Sequence, residues 1–462
     1  MKISFHGATR GVTGSCHLIE VNKTKLLLDC GMNQGKEKVV SERNKNLGFE
    51  PSDVDLVLLS HAHLDHSGRL PYLAKKGFQG EIITTEPSFK LAELIMKDSA
   101  KNMARKTLWK EKGLEQNGIS LDQLYDANDV EHALSSFGRL VQYDKKIDLG
   151  NGITATFFDA GHILGSASIF LEVEENGIKK SFVFSGDIGN INKPIVHDPT
   201  MPPRADHIVM ESTYGDRIHR LVEEAVMELN QVINETVNSG GNVIIPLFAI
   251  ERTQEILFFL REAIESGKLP KDIKVFLDSP MAISATEIMN QYLNWGDEDV
   301  QELLKRNVNP FDFPNLTMTR SVNESKTINN IKHGAVILAG SGMADGGRIH
   351  HHLKHNIWRP ECSIVSLSYA ADGTLSRKLV DGEKEIFLQG RPVPVKAKIS
   401  KINGLSSHAD KIGLSSWHRS SGKPDNTFLV HGDELAMTSF SDELKARGCH
   451  VEMPTLHQEY NL

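Results

Sequence analysis

The chain has 462 residues, more than one compact domain usually holds, so we expect two cores or one domain that carries a large insertion. Apolar residues make up 39% and charged residues 24%, a composition typical of globular proteins and unlike that of disordered chains. The net charge of −8 repels polyanions at long range, so a bound nucleic acid would need a locally basic surface.

Residues 1–207 alternate short β-rich runs with turns, and each run ends at a polar or ionisable residue. Such strand ends are where sheet-based active sites collect, on loops that a rigid scaffold holds. Between these runs, the stretch from Phe89 to about Phe137 is predicted to be helical with polar breaks. We therefore assign residues 1–207 to the first part of one domain.

Residues 208–375 alternate strands and helices instead. Continuous apolar runs such as GGNVIIPLF and GAVILAGSG are separated by helical stretches, a pattern that indicates a parallel α/β sheet. After about Thr374 the short β-rich runs return. We predict that residues 208–375 form an inserted domain and that residues 376–462 complete the first domain.

Export and membrane insertion are not expected. No apolar run reaches about 18 residues, the length of a candidate transmembrane helix. The N-terminal sequence has His6, Gly7 and Arg10 where a signal peptide has its apolar core. The cysteines lie far apart with no CxxC spacing, so neither a disulfide framework nor a cysteine zinc site is indicated. The expected location is the cytoplasm.

The segment SHAHLDHSGRL follows a predicted buried strand and contains four potential metal ligands within six positions. His61 and His63 are two residues apart, so in an extended segment they lie on the same side. Asp65 and His66 follow where the chain turns into a helix, so they can serve a second metal beside the first. Imidazole and carboxylate ligands without thiolate suit Zn²⁺, and they are also compatible with Mn²⁺ or Fe.

Three further strand ends carry candidate ligands: His162 in DAGHILGSA, Asp187 in FSGDIGN and His431 in LVHGDE. Asp29 in LLLDCG is expected to orient one of the ligands from behind. A lone histidine is more often structural than a ligand, whereas a dense group of ligand types after a strand favours a metal centre.

The order of these motifs along the chain resembles that of the metallo-β-lactamase superfamily. The resemblance implies an α/β fold, a four-layer αββα sandwich with two zinc ions at one edge between the sheets. It also implies two sets of ligands that share Asp187 as a bridge. The first set consists of His61, His63 and His162. The second set consists of Asp65, His66 and His431.

Three later motifs, VMESTYGDR, LSSHADK and FLVHGDE, look like those of the β-CASP nucleases, a branch of that superfamily with an inserted domain of mainly parallel sheet. They add Glu211 and His408 to the expected site. The segments HAHLDHSGRLP and AGHILGSA look closer to the pre-mRNA 3′-end cleavage endonuclease and its compact bacterial relatives. In this family a histidine at the last motif accompanies action on RNA, so His431 favours single-stranded RNA over DNA.

Hydrolysis by such a site uses a hydroxide that two metals activate, with Asp65 and Asp187 among the metal-holding groups. His408 is expected to protonate the leaving oxygen, and Glu211 to hydrogen-bond to His408 and raise its pKa. The alternative for His408 is a structural role at a helix start, where SSHAD is also good capping chemistry.

A glycine-rich turn in ILAGSGMADGGRIHHH lies between a predicted strand and helix, where backbone N–H groups can bind an RNA phosphate. Arg252 and Ser279 are expected to join this groove, although structural roles fit both equally well. Glu251 stands where many relatives have glycine. The expected phosphate-binding residues of the turn are Gly340, Ser341, Gly342, Gly346 and Gly347.

Two basic stretches, Lys101–Lys112 and Arg391–Lys401, are candidates for contact with nucleic acid, with solvated surface as the simpler interpretation. The sequence thus predicts a zinc-dependent ribonuclease, an endonuclease, a 5′-3′ exonuclease or both. The alternatives are a hydrolase of small esters or thioesters, a nuclease that acts on DNA, and an RNA-binding scaffold without turnover. No motif specifies the oligomeric state, for which a homodimer is a guess.

Overall fold

The structure is a computed structural model that describes residues 1–35, 37–111, 123–367, 370 and 373–462. The chain divides into two compact units. The first unit comprises Met1–Ile191, His197–Ile218 and His408–Leu462. The second unit comprises Asn192–Val196 and His219–Ser407.

Both units consist of short strands and helices that alternate along the chain. In chain order the strands are β1 (Lys2–Phe5), β2 (His17–Val21), β3 (Thr24–Leu28), β4 (Leu56–Leu58), β5 (Glu81–Thr85), β6 (Phe137–Val141), β7 (Lys146–Gly150), β8 (Ile153–Asp159), β9 (Ala167–Glu175), β10 (Ile178–Phe184), β11 (His207–Glu211), β12 (Val243–Pro246), β13 (Lys274–Asp278), β14 (Leu316–Met318), β15 (Ala335–Ala339), β16 (Ser363–Ser366), β17 (Glu385–Leu388), β18 (Arg391–Pro394), β19 (Lys398–Lys401), β20 (Asn426–Val430), β21 (Val451–Glu452) and β22 (Glu459–Asn461). The α-helices are α1 (Glu37–Lys45), α2 (Leu64–Ser67), α3 (Leu70–Lys75), α4 (Glu86–Glu111), α5 (Ala127–Ser135), α6 (Val222–Asn238), α7 (Arg252–Glu265), α8 (Pro280–Gln291), α9 (Glu298–Lys305), α10 (Val322–Ile328), α11 (Ile349–Asn356), α12 (Leu375–Val380), α13 (Lys411–Ser420) and α14 (Glu434–Ala446).

Two seven-stranded sheets form the centre of the first unit. Their strand orders are β22-β1-β2-β3-β4-β5-β6 and β21-β20-β11-β10-β9-β8-β7. Apolar side chains of both sheets, among them Leu28, Phe157 and Phe428, form one buried cluster. Trp417 of α13 and Phe440 of α14 pack on the second sheet in another cluster, and α4 contacts β5 and β6 of the first sheet. This layering confirms the predicted αββα sandwich.

Alternation of side chains explains why these sheets pack face to face. In β9 the residues Ala167, Ile169, Leu171 and Val173 belong to the cluster between the sheets. Residues two apart in a strand lie on the same face, so one face of β9 is apolar throughout. This face fixes the register of β9 against β8 and thereby the position of the loop that joins them, which contains His162.

The second unit is built on a six-stranded sheet with the order β14-β13-β15-β12-β16-β19. Each strand pairing in this sheet is parallel, which confirms the predicted sheet type. Val243 and Ile245 of β12 pack with α6 and α7, whereas Ile244 packs in another cluster with α11. Helices therefore cover both faces, as the continuous apolar strands require.

The second unit extends beyond residue 375, where the sequence prediction ends the inserted domain. β19 lies after that boundary, but it pairs with β16 in parallel register, Ile364 opposite Ile399. β17 and β18 form a separate two-stranded sheet that packs on α11 through Ile386 and Leu388. Because these strands complete its core, the compact unit ends at Ser407.

The predicted helical region from Phe89 to Phe137 contains α4 and α5, with residues 112–122 outside the described residues. α4 has 26 residues, but charged side chains occur along its length. Among the helices that the structure describes, none combines the length and the apolar content that a membrane crossing needs.

Candidate metal centre

Loops at the ends of the strands of the first unit carry the clustered histidines and aspartates. β4 ends at Leu58, two residues before the dense segment begins, and α2 starts at Leu64, so the chain changes from extended to helical within that segment. The other candidates follow β8, β10 and β20 or end β11, except for His408, which lies between β19 and α13. In chain order the residues that the structure brings together are His61, His63, Asp65, His66, His162, Asp187, Glu211, His408 and His431.

The first set of predicted ligands is assembled around His63. The Nδ1 atom of His63 lies 3.2 Å from Nε2 of His61 and 3.1 Å from Nε2 of His162. Oδ2 of Asp187 lies 3.5 Å from the Nε2 atoms of both His61 and His162. These four residues offer ligand atoms that all lie within 4.8 Å of one another.

The second set lies on the other oxygen of the same aspartate. Nε2 of His66 is 3.3 Å from Nε2 of His431, and Oδ2 of Asp65 is 3.5 Å from that atom of His431. Oδ1 of Asp187 lies 3.3 Å from Nε2 of His66 and 3.5 Å from Nδ1 of His431. Each carboxylate oxygen of Asp187 thus faces a different group of imidazoles.

The chemistry of this cluster fits a bound cation. Asp187 is only 2% exposed, and its Oδ1 atom accepts no hydrogen bond from the part of the chain that the structure describes. The ring nitrogens of His61, His63 and His162 face one another, and a hydrogen bond between two imidazoles needs one protonated and one bare nitrogen. A cation between them would use all three lone pairs. The histidine and aspartate cluster is therefore compatible with metal binding.

The pKa shifts of these histidines differ between the two sets. Burial lowers the pKa of His61 far below its ordinary value and that of His63 to about 4, so both rings are neutral and can act as ligands. Burial also lowers the pKa of His66, but the carboxylates of Asp187 and Asp29 outweigh this effect and hold that pKa well above its ordinary value. The two carboxylates therefore favour positive charge where His66 faces Asp187.

Asp29 lies behind His66, at the position expected for a residue that orients a ligand. Its Oδ2 atom is 2.7 Å from Nδ1 of His66 and accepts a hydrogen bond of 2.9 Å from the Ser60 hydroxyl. The backbone N–H of Ser60 donates to Oδ1 at 2.7 Å. Asp29 itself has φ 58°, a left-handed conformation that aspartate tolerates better than most residues. The carboxylate is fully buried and held on both oxygens.

Sequence reasoning missed two hydroxyl groups that contact the cluster. The Ser60 hydroxyl lies 3.0 Å from Nδ1 of His61, and the Thr213 hydroxyl lies 3.1 Å from Nδ1 of His431. Ser60 is the first residue of the dense segment and Thr213 comes two residues after Glu211. Their proximity to these motifs is the only feature of the sequence from which the two hydroxyl groups could have been predicted.

His408 lies beside the cluster and pairs with Glu211. Nδ1 of His408 is 3.1 Å and 3.2 Å from the two carboxylate oxygens of Glu211. Glu211 is fully buried and accepts a hydrogen bond of 2.6 Å from the N–H of Ile188. Burial lowers the pKa of His408, but the charge and hydrogen bond of Glu211 raise it to about 9. Atoms of His408, Asp187 and His431 approach within 4.8 Å of one another.

In the second unit the predicted phosphate-binding residues lie at the carboxyl ends of neighbouring parallel strands. Ser279 follows β13 and the glycine-rich turn follows β15, and a Cβ atom on Gly340 would lie 3.3 Å from the Ser279 hydroxyl. That hydroxyl also accepts the N–H of Ala282 at 3.3 Å, as the N-cap of α8. Ser279 and the turn are therefore close together.

Arg252 has a partner within its own helix. Its Nη1 atom donates a hydrogen bond of 2.5 Å to Glu255, and Lys193 is 2.5 Å from the other oxygen of the same carboxylate. Arg252 is buried, and it shares the single carboxylate of Glu255 with Lys193. The spacing of three residues between Arg252 and Glu255 in a helix was a visible signal of this pairing.

Asp278 was not singled out in the sequence, although it organises the helix after the glycine-rich turn. Its buried carboxylate accepts hydrogen bonds of 2.6 Å from Arg348 and from His352. His350 lies 2.6 Å from the carbonyl of Ala344, so these two histidines have different partners. His352 is buried.

Glu251 has φ 67° and ψ −65° just before α7. Positive φ is uncommon for residues with a Cβ atom and costs glycine little. Glycine would therefore adopt the backbone conformation of this position with less strain than glutamate does.

Three family models match successive parts of the chain. The model described as metallo-beta-lactamase superfamily matches residues 9–220, and the Beta-Casp domain model matches residues 253–379. The model described as Zn-dependent metallo-hydrolase RNA specificity domain matches residues 392–454. The fold and the cluster thus define a metal-dependent hydrolase of the metallo-β-lactamase type.

Curated relatives match over nearly the whole length. Ribonuclease TTHA0252 from Thermus thermophilus is 36% identical over 98% of both chains. An RNase J-like protein from Methanocaldococcus jannaschii is 31% identical over 95% of this chain and 94% of its own. A protein from the same archaeon, named transcription termination factor FttA, is 31% identical over 96% of this chain and 69% of its own. The chain belongs to the β-CASP family of metallo-hydrolases.

A solved structure supports the fold alone. A protein of unknown function from Enterococcus faecalis superposes with a TM-score of 0.58 over 100% of this chain and 99% of its own. The two sequences are 12% identical, so the likeness carries no functional information.

Proposed function

We propose that the chain is a zinc-dependent ribonuclease that hydrolyses phosphodiester bonds of single-stranded RNA, as an endonuclease, a 5′-3′ exonuclease or both, in RNA processing or decay. The observation that carries this proposal is the division of the imidazoles into two sets, one on each oxygen of Asp187. Relatives named as ribonucleases and the match to an RNA specificity domain support RNA as the substrate.

Zinc is the proposed metal because the donors are imidazole and carboxylate groups with no thiolate among them. Mn²⁺ is compatible with the same donors. Two zinc ions bound at this cluster would supply an activated water and neutralise charge on the scissile phosphate. The proposed ligands of the first ion are His61, His63, His162 and Asp187. The proposed ligands of the second ion are Asp65, His66, His431 and Asp187.

His408 is the proposed general acid. Glu211 occupies the Nδ1 side of the ring, so Nε2 can present its proton to the leaving oxygen of the RNA. A pKa of about 9 keeps His408 protonated at neutral pH, as an acid requires before the bond breaks. Glu211 acts through His408 by fixing the ring and stabilising its charge. The short contacts of Glu211 with Ile188 and His408 hold that carboxylate in place.

The glycine-rich turn is the proposed site for an RNA phosphate in the second unit. The N–H of Ser341 bonds to Gly346 at 3.2 Å and closes the turn. The N–H groups of Gly342, Gly346 and Gly347 donate no hydrogen bond within the described part of the chain, so they are the groups that can bind an anion. Ser279 adjoins them, whereas Arg252 is held by the carboxylate of Glu255.

Substrate preference separates this proposal from its alternatives. Purified protein is incubated with zinc and 5′-labelled single-stranded RNA, the matching DNA and a thioester. We expect cleavage of RNA to products with 5′-phosphate and 3′-hydroxyl ends. Intact RNA together with a hydrolysed thioester would overturn the proposal in favour of a small-molecule hydrolase, and preferential cleavage of DNA would favour a DNA nuclease. The proposed place of action is the cytoplasm, and the proposed oligomeric state is a homodimer.

A further inference from the structure

The glycine-rich turn that follows β15 lies next to a phenyl ring. Phe248 comes two residues after the end of β12, and β12 pairs with β15 in parallel register, Pro246 opposite Ala339. The hydrogen bonds continue past the end of β12, where the N–H of Leu247 donates to the carbonyl of Ala339 at 3.0 Å. The residues after β12 and the turn after β15 are therefore neighbours at the carboxyl edge of the sheet.

The contact between the ring and the turn is direct. A Cβ atom on Gly342 would lie 2.7 Å from Cδ2 and 2.8 Å from Cε2 of Phe248, closer than Cβ atoms approach other atoms in proteins. Glycine at this position therefore lets the ring lie against the backbone of the turn. The Thr253 hydroxyl donates a hydrogen bond of 2.6 Å to the carbonyl of Phe248, so the backbone that carries the ring is held as well.

Phe248 keeps much of its surface in solvent despite this contact. It is 43% exposed, whereas Leu247 beside it is 1% exposed. Burial of apolar area stabilises a fold, so a phenyl ring that stays in solvent contributes less to the core than it could. A ring that is held in place and is still exposed can pack against a ligand without first being ordered.

The carboxyl edge of this sheet thus offers two kinds of contact side by side. β15 lies between β13 and β12, so the turn has Ser279 on one side and Phe248 on the other. Ligands of parallel α/β sheets bind at this edge, beyond the ends of the strands. The turn and Ser279 offer the N–H and hydroxyl groups proposed above for a phosphate, and Phe248 offers an aromatic surface. A nucleotide matches both, because it joins an anionic phosphate to an aromatic base.

We propose that the ring of Phe248 stacks on a base of single-stranded RNA while a phosphate of the same RNA is bound at the glycine-rich turn. Stacking uses the face of a base, which all bases have, so this contact should not depend on the base sequence. The inference rests on the proposed ribonuclease function and adds to it a residue that holds a base. The competing role for the ring is support of the turn, which would act on the phosphate alone.

The test compares an RNA with a base-free oligomer of the same length that consists of ribose and phosphate alone. The two carry the same charge and differ only in the bases on which a ring can stack. Binding to the zinc-loaded protein is measured by fluorescence anisotropy in the His408→Ala background, in which cleavage should be slow. We expect Phe248→Ala to raise the Kd for the RNA about 5- to 100-fold, since stacking contributes that much per base. The Kd for the base-free oligomer should not change.

Three further substitutions serve as controls. Phe248→Tyr keeps the aromatic face and should bind the RNA as tightly as phenylalanine does. Phe248→Leu keeps an apolar side chain beside Gly342 but has no aromatic face, so it should lose affinity for the RNA even if Phe248→Ala does not fold. Phe387→Ala removes another exposed phenyl ring of the second unit, 70% exposed on β17, and should leave both Kd values unchanged.

Equal losses of affinity for the RNA and for the base-free oligomer would overturn the inference in favour of a ring that supports the turn. An unchanged Kd for the RNA in Phe248→Leu, or the same loss in Phe387→Ala, would also overturn it. Cleavage is measured separately with His408 in place. If that protein binds RNA but does not cleave it, the proposed function fails, and the two Kd values still decide whether Phe248 stacks. If it cleaves RNA and the Phe248 variants bind as it does, stacking alone is refuted, whereas absence of RNA binding would overturn both.

Discussion

His17 provides a quantitative test of how burial acts on a histidine in the first unit. The ring is fully buried between Phe5 and Phe184, at centroid distances of 5.3 Å and 5.6 Å. Neither ring nitrogen has a hydrogen-bond partner among the described residues. Burial lowers the pKa of His17 to about 3, so the folded protein holds the neutral ring. We expect His17→Leu to make folding less sensitive to acid.

The sign and size of the effect follow from proton linkage. An unfolded histidine has a pKa of about 6.5. Between that pH and pH 3, His17 therefore binds a proton in the unfolded chain but not in the folded chain. The contribution of neutral His17 to the unfolding free energy is therefore fully present above pH 6.5 and decreases as the pH falls. At pH 5 the difference is about 1.5 pH units at ~1.4 kcal/mol each, or about 2 kcal/mol of unfolding free energy. Leucine has no titrating group, so the variant avoids this loss.

The assay is urea unfolding of the wild type and the variant at pH 7.5 and pH 5, with a chelator present so that metal binding does not contribute. We expect the wild type to lose about 2 kcal/mol more than the variant between these two conditions. His132→Leu on α5 is the control, since it removes a histidine that is exposed. Identical pH dependence in the wild type and His17→Leu would refute the reasoning from burial.

Four other changes test the site and the backbone. Asp187→Asn should abolish RNA cleavage and lower the zinc content measured by mass spectrometry, because one side chain serves both ligand sets. His408→Ala should retain its zinc and lose ~10²–10⁴ in rate; full activity would exclude the general-acid role. Glu211→Gln should shift the alkaline limb of the pH–rate profile to lower pH, since Glu211 raises the pKa of His408 to about 9. Glu251→Gly should raise the unfolding free energy by about 1 kcal/mol, and Glu251→Ala should not, because only glycine relieves the positive φ.

The dense ligand segment was predictable because its signal is local. Four potential ligands between His61 and His66 indicate a metal site without any knowledge of the rest of the fold. His162, Asp187 and His431 were candidates because they follow predicted strands, but only the resemblance to a known superfamily assigned them to ligand sets, since no spacing rule connects them. Their meeting depends on strand pairings between distant segments, which periodicity does not specify.

The missed contacts have a different cause. A single hydroxyl such as that of Ser60 or Thr213 has no pattern of its own, so only its neighbour in space shows what it does. The C-terminal boundary of the second unit was equally hard to predict from the sequence. A four-residue strand such as β19 has a recognisable pattern but no mark of which sheet it joins. The pairing of Arg252 with Glu255 was visible as helical spacing. Lys193 pairs with the same Glu255, but the two lie in distant segments, so nothing in the sequence indicated this contact.

The pairing of β11 with β20 sets an order of events when the protein is made. Glu211 lies opposite Val430 in this pairing, although most of the second unit comes between them in the chain. The ribosome produces the first ligand set long before residue 431, and proteins fold from the N-terminal side during synthesis. A growing chain therefore has neither His408 nor His431 until the ribosome has passed them. The topology therefore delays completion of the cluster until the chain has been made as far as residue 431.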